Sequence, residues 1–423
     1  MTAQLVLGNG FGIALASDSA VTSSGAQQSR TFDTSEKIHP LTDPHRLGVL
    51  HCGAVHYLGM PVGVLLDEWK ASLGSRLQSV EGYRDNFLSW LADNLDNWST
   101  SVDREWNSFE SLDRRLWQMA RSVKEEVESV AEDLRHDTAL TVVRETNEML
   151  ESWEPNDPQL KDMADDILAR WGAEAAEGTP NFHSQIEHWF DGLPRSTEID
   201  QEIHRFIRLT VEGGYEFPSW SDTRISFVGY GLKEMFPSLA SVSLFGAIGS
   251  HVAHHKLMPR SAEPHGPSYA LIIPQAQSDV IEQVLTGINT PLIARAAETT
   301  MERLREPTDQ LTEPSDGEET LSDVAQVFTE NVRNELMSDL KQRSQEEHLD
   351  PALRTIAGMP LASLAEIAGA LVAIQNLTLD IRGELPTVGG NIDIATITLS
   401  EGFKWVNHKG RTQQPFLPDT KIV

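Results

Sequence analysis

A Gly8-Asn9-Gly10 turn sets the first constraint on the fold. Residues 5–7 and 11–16 are short apolar runs on either side of it, and that combination specifies an antiparallel hairpin. The second strand returns beside the first, so Asp18, just past its end, comes back toward Thr2. Two further strand-like runs follow at 38–41 and 46–52, the first preceded by Lys37 and the second followed by Gly53.

These residues form a chemical set. Thr2 follows Met1, and threonine is small enough for the methionine to be trimmed, which leaves a free α-amine beside a hydroxyl. A free α-amine titrates near about pH 8, close enough to neutrality to take the hydroxyl proton. Asp18 adds a carboxylate, Lys37 a buried ammonium and Gly53 a backbone amide. Together they are what is needed to attack an amide and hold the resulting oxyanion.

In this order the pieces resemble the start of a proteasome β-type subunit or its bacterial proteasome-like relatives, within the N-terminal-nucleophile hydrolases. The motifs are Thr2, the hydrophobic-Ala-x-Asp run Leu15-Ala16-Ser17-Asp18, Lys37-Ile38-His39 before a strand, and Gly53. Near the other end, Gly389-Gly390-Asn391-Ile392-Asp393-Ile394-Ala395 is similar to the family's double-glycine strand, in which Asp393 is structural. The Asp-to-Lys segment carries a few extra residues around 25–30.

The resemblance implies an α+β fold, a four-layer αββα sandwich of antiparallel sheets interrupted by a large helical insertion. It divides the chain into 1–73, the first part of the hydrolase domain, 74–221, the insertion, and 222–423, the second part. It implies a threonine-type peptidase or amidohydrolase acting through Thr2, with Asp18 orienting Lys37, Gly53 serving the oxyanion and Ser278 as a further catalytic hydroxyl. A peptide would lie as an added strand between Ala20-Val21-Thr22 and the Gly53 edge, with His51, Val55 and Val21 as pocket walls. No cofactor or metal is implied. The family's partners are further copies of the chain, in a ring or open helical array, and an ATP-dependent unfoldase. The alternative is an inactive member of the same fold that serves in assembly. Active members carry an aspartate and a serine before the double glycine where this chain has Leu385 and Val388. Glu384 and Asp380 are the nearest acids.

Composition narrows the partners. The chain has 423 residues, too many for one usual domain without an insertion. A net charge of −29 excludes nucleic acid and anionic membranes as natural partners. The single cysteine, Cys52, allows no internal disulfide. No run of eighteen uninterrupted apolar residues occurs and the start lacks a basic, then apolar, leader, so the expected location is the cytoplasm.

Beyond Gly53, residues 56–69 read as a helix, and between Leu88 and Leu134 apolar residues recur at every third or fourth position, as an amphipathic helix or a helical hairpin requires. One straight helix over that span would be about 70–80 Å long. Its seam needs a cover, either the later helical stretches 141–153, 160–171 and 199–211 or another subunit. Strands are expected at 224–231, 238–245, 269–273 and 387–398 with a mate at 403–406. Helices are expected at 278–286, 321–345 and 361–376. His251, His254, His255 and His265 invite a metal reading, but no Glu or Cys stands at the spacing of a zinc hydrolase helix.

Overall fold

The computed structural model describes residues 2–24, 29–32, 35–155, 157–173, 180–213, 223–262, 270–289, 292–293, 295–296, 299, 335–382, 389–409 and 411–412. The chain is α+β, with antiparallel sheets. In order, the strands before the long helical stretch are β1 (Ala3–Asn9), β2 (Gly12–Asp18), β3 (Val21–Ser24), β4 (Ser29–Phe32), β5 (Ile38–Leu41), β6 (Arg46–Gly53), β7 (His56–Tyr57) and β8 (Met60–Pro61). After it come β9 (Thr223–Tyr230), β10 (Ser238–Ile248), β11 (His251–Lys256), β12 (Arg260–Ser261), β13 (Leu271–Ala276), β14 (Ile392–Thr398), β15 (Gly402–His408) and β16 (Arg411–Thr412). Two compact units emerge, Met1–Ile38 with Glu234–Ser238 and Ser261–Val423, and His39–Lys233 with Leu239–Arg260. This division falls at other points than the 1–73, 74–221 and 222–423 blocks read from the sequence.

The first unit is built on a sheet in the order β13-β1-β2-β14-β15-β16. The β1–β2 register, Leu5 to Ala16 and Asn9 to Gly12, is that of the hairpin expected from the Gly-Asn-Gly turn. Asn9 adds a role of its own. Its side-chain oxygen accepts from the Phe11 amide at 2.9 Å, while Nδ2 donates to the carbonyls of Ile356 and Met359 at 2.7 and 2.8 Å. Among the described helices of this unit we label α8 (Asp279–Thr286), α9 (Asp350–Ala357) and α10 (Leu361–Arg382), the labels α1–α7 being used for helices earlier in the chain. Alternation along the strands sends Ala3, Leu5, Leu7, Ala14 and Ala16 to one face, where they form a core with Ile281 of α8, Ile356 of α9 and Leu364, Ala368 and Val372 of α10. Val6, Ile13 and Leu15 on the other face are buried as well. By length and composition α10 could cross a bilayer, yet here one side of it packs on β1, β2 and β14.

The second unit holds the sheet β11-β10-β9-β6-β5, with β12 paired to β10. The helices α1 (Val62–Ser72) and α2 (Val80–Asn94) lie against it, and Trp69, Phe87 and Phe227 meet with ring centroids 5.3 to 5.7 Å apart. Residues 56–61, read from the sequence as the start of a helix, instead form the β7–β8 hairpin, because Leu58 and Gly59 take positive φ there. Pro61 then sets the start of α1.

The rest of this unit is helical: α3 (Ser101–Ser129), α4 (Arg135–Glu151), α5 (Pro158–Trp171), α6 (Phe182–Trp189) and α7 (Thr197–Gly213). The seam from Leu88 to Leu134, which allowed one amphipathic helix or a helical hairpin, is divided between α2, a short 3₁₀ turn at Leu95–Asn97, and α3. Thr100 and Asp103 cause the restart, each side chain bonding the other's backbone amide in a capping box. On α3 the seam residues Leu112, Leu116 and Val123 pack with Val143 of α4, Ile167 of α5 and Ile203 and Phe206 of α7. The later helices of the same chain thus cover it, while Val102 and Trp106 stay exposed.

Candidate active site

Asp18 is the last residue of β2, one position inside the strand rather than just beyond it. Its carboxylate is buried and receives three donors. Lys37 Nζ lies 2.7 Å from Oδ1, the Ala3 amide donates to the same oxygen at 2.9 Å, and the Gly389 amide donates to Oδ2 at 3.1 Å. Ala3 is the residue after Thr2, so this one carboxylate ties the lysine to the start of the chain. Thr2 itself is 6 % exposed and Lys37 2 %. A charge-assisted cluster of this kind exists only where every member has a partner, since an isolated ion at such burial would neutralise instead.

The double glycine builds the other wall. Gly389 and Gly390 both have positive φ, +150° and +72°, and the Gly389 carbonyl accepts from the amides of Ser19 and Ala20 at 3.3 and 3.1 Å. The turn therefore holds both the Asp18 side chain and the two residues that follow it. Within the motif that follows, Asp393 is buried at the β14–β15 pair and accepts from the Lys409 amide at 2.7 Å. Burial pushes its carboxyl above the usual range although the Lys409 amide opposes the shift.

Next to Thr2 on the far side runs β13. Its register against β1 pairs Ala3 with Ala276, and the Gln277 amide donates to the Thr2 carbonyl at 2.8 Å. Ser278 follows at the start of α8, half-buried, with its hydroxyl donating to Glu282 Oε1 at 2.6 Å. Thr2, Asp18, Lys37 and Ser278 all belong to the first unit, as does Ala20, which is fully buried. Val21 and Thr22 pair with Phe32 and Thr31 in the β3–β4 hairpin.

Gly53, His51 and Val55 belong to the second unit. Gly53 ends β6, exposed, with φ of +89°. His51 is buried, and its Nδ1 meets His39 Nε2 at 3.0 Å. Burial, with Lys70 nearby, pushes His39 down to about 4. Val55 is half-buried, and its carbonyl accepts from the amide of Val62. Leu385, Val388 and Glu384 lie outside the described residues, and Asp380 is exposed on α10.

Two features escaped the sequence reading. Gln375 is fully buried, and its side-chain oxygen accepts from the Val280 and Ile281 amides at 3.0 and 3.2 Å, capping α8 in place of the serine at its start. Nothing in the spacing of α10 signals this. Asp157 is the second. It caps α5 through the Gln159 amide and also accepts from His251 Nε2 at 2.8 Å and from the His254 amide at 3.1 Å. Burial pushes Asp157 up, but those bonds outweigh it and hold the carboxyl below the usual range. His251, His254 and His255 lie on the strand β11 rather than on a helix or loop, and His265 lies outside the described residues. No cluster able to hold a metal ion occurs among the described residues.

Comparison with known proteins adds no relative: no family model, curated protein or solved structure matches the chain.

Proposed function

We propose that the protein is an N-terminal threonine amidohydrolase of the proteasome-like class, acting on peptides through Thr2 after loss of Met1. The observation that carries this reading is the Asp18 carboxylate, which joins Lys37 Nζ at 2.7 Å to the amide next to Thr2 at 2.9 Å in a buried site. In the reaction Thr2 Oγ attacks the substrate carbonyl carbon and passes its proton to the Thr2 α-amine, while the carbonyl electron pair moves to oxygen. Lys37 lowers the proton affinity of the hydroxyl through its charge, and Asp18 fixes Lys37. The ammonium formed on Thr2 then gives its proton to the leaving amine, and water releases the acyl group.

The same proposal includes the four-layer sandwich. Each unit carries an antiparallel sheet with helices against one face, and Val6, Ile13 and Leu15 in one and Leu50 and Val228 in the other are buried outside those helix-facing cores. A second buried face on each sheet is what the inner layers of such a stack require. The working form is a cytoplasmic homo-oligomer, checked by light scattering at micromolar concentration, where a clean monomer contradicts it.

Intact-mass analysis followed by a threonine-directed electrophile tests the chemistry. Loss of Met1, a single adduct on Thr2 and loss of peptide hydrolysis in Thr2→Ala are expected, and a retained Met1 defeats the reading. The second reading, an inactive assembly protein, is favoured by Leu385 and Val388, whose side chains offer no hydrogen bond to a nucleophile. It requires that Thr2→Ala change no activity.

A further inference from the structure

A cavity of about 750 Å³ opens along one face of α3, within the second unit. Asp103, Trp106, Glu110 and Asp113 follow one another at steps of three and four, so all four lie on one stripe of the helix. The β7–β8 hairpin, Trp98 shortly before α3 and Gln185 of α6 form the other walls.

The lining joins aromatic surface to negative charge. Trp106 is 41 % exposed, whereas Leu112 and Leu116 further along α3 are buried. The Trp98 ring stacks on Trp90 and the Trp106 ring meets Phe109 edge-on, each pair with centroids 6.0 Å apart, which holds both indoles in place.

The charges around the cavity leave an acidic excess. Thr100 donates to Asp103 from its hydroxyl at 2.7 Å and its amide at 3.0 Å, and these bonds hold the carboxyl below the usual range, so it stays ionised at neutral pH. Asp113 accepts from Trp189 Nε1 at 2.7 Å, a neutral donor that leaves the charge uncancelled. Glu110 has Arg114 beside it at 3.4 Å. Arg104, on the buried side of α3, is taken up by Asp96 and Ser99. Among the described residues no lysine or arginine lines the cavity.

Indole faces and carboxylates together suit a cation on an apolar stem, because the ring attracts the charge and the carboxylates pair with it. The stripe is long enough for more than one such group: Trp106 to Asp113 covers about 10 Å, at about 1.5 Å per residue. Alternate side chains of an extended peptide repeat at about 7 Å, and the flexible stems of arginine and lysine span the difference. A second copy of this chain is a poor occupant, since its net charge of −29 sets acid against acid.

We propose that this face of α3 docks an extended basic polypeptide segment. One arginine or lysine lies against Trp106 between Asp103 and Glu110, and the next reaches Asp113. The inference stands apart from the amidohydrolase reading, because its residues belong to the second unit while Thr2, Asp18 and Lys37 belong to the first.

Isothermal titration calorimetry of the full-length protein with the acetylated, amidated peptide Arg-Ala-Arg-Ala-Arg tests it. Saturable binding of one peptide per chain is expected at about 50 mM salt, weakening at least about tenfold at about 500 mM as the exposed charges are screened. Trp106→Ala and Glu110→Lys should each weaken binding by about tenfold, and Trp106→Phe, which keeps a ring, by less. Both positions are exposed, and circular dichroism checks that the variants fold. Gln185→Glu adds an acid to the wall and should tighten binding about twofold to threefold, a gain that misfolding cannot produce. Thr2→Ala should bind as wild type does. Absence of binding, or binding that Trp106→Ala and Glu110→Lys leave unchanged, overturns the proposal. Loss of binding in Thr2→Ala overturns it by moving the peptide to the chain start. Equally tight binding of butylammonium overturns it in favour of a small cation, and loss of assembled mass in Trp106→Ala gives the face to a second copy instead.

Discussion

Lys37 Nζ stands 2.7 Å from Asp18 Oδ1 with side-chain exposures of only 2 % and 0 %. Removing one partner of a buried pair leaves an ion without its counter-charge, which costs about 3–5 kcal/mol. Lys37→Met and Asp18→Asn should each lower stability by that order in urea unfolding. The double variant should recover most of the loss, because two neutral groups of similar size need no mutual compensation. If the proposed chemistry is right, none of the three hydrolyses peptide, which separates the pair's catalytic part from its structural one.

The His39–His51 contact gives a prediction in pH. His39 is held down to about 4 by burial, with Lys70 adding to it, against an unfolded value near about 6.5. The unfolded chain therefore binds the proton first. The stability that comes from keeping His39 neutral is complete above about pH 6.5 and is lost as pH falls toward 4. Over that window the group contributes a slope of at most about 1.4 kcal/mol per pH unit. His39→Asn should flatten the wild-type curve between pH 6.5 and 4. Equal slopes in urea titrations of the two proteins would refute the assignment.

Gly231 follows β9, and a Cβ there would stand 2.3 Å from Ser79 Cα and 2.4 Å from Gln78 O. Both are backbone atoms and cannot turn aside. Gly231→Ala should cost about 3 kcal/mol, on the scale of overpacking a tight site. Gly74→Ala, with nothing within 4 Å, should change thermal stability little.

The helical core predicts a contrast on one helix. Leu116 is fully buried between α3 and its neighbours, whereas Val102 is 59 % exposed. Leu116→Ala should lose about 2–5 kcal/mol. Val102→Asp should lose almost nothing in a monomer, so a large loss of assembled mass in light scattering would place a subunit contact at that end of α3.

The strands and their order were more legible than the helical region. Short apolar runs punctuated by glycine turns name the hairpins directly, and the structure has β1–β2, β6, β9 and β14–β15 within a residue or two of the expected positions, except that β14 begins at Ile392 rather than 387. Period alone left one helix and a helical hairpin open at Leu88–Leu134, where spacing of three or four persists across a real break. The Thr100-x-x-Asp103 signature was present there and marks the restart. In the candidate site, Thr2, Asp18 and Lys37 could be listed from chemistry and spacing. Gln375 could not, because an amide that caps a helix nearly a hundred positions earlier in the chain leaves no local pattern.

The Gly389 amide reaches Asp18 across 371 positions of sequence, and β14 fills the place beside β2. During synthesis the first hairpin thus emerges with one edge of β2 open, and it stays open until residues 392–398 have left the ribosome. An open strand edge is a template for wrong pairing, and contacts this distant in sequence form late. Expression of this chain should therefore depend on its last segment far more than the small size of that segment suggests: a chain clipped before Gly389 would carry Thr2, Asp18 and Lys37, yet have neither the third donor to the carboxylate nor a neighbour for the strand that bears it.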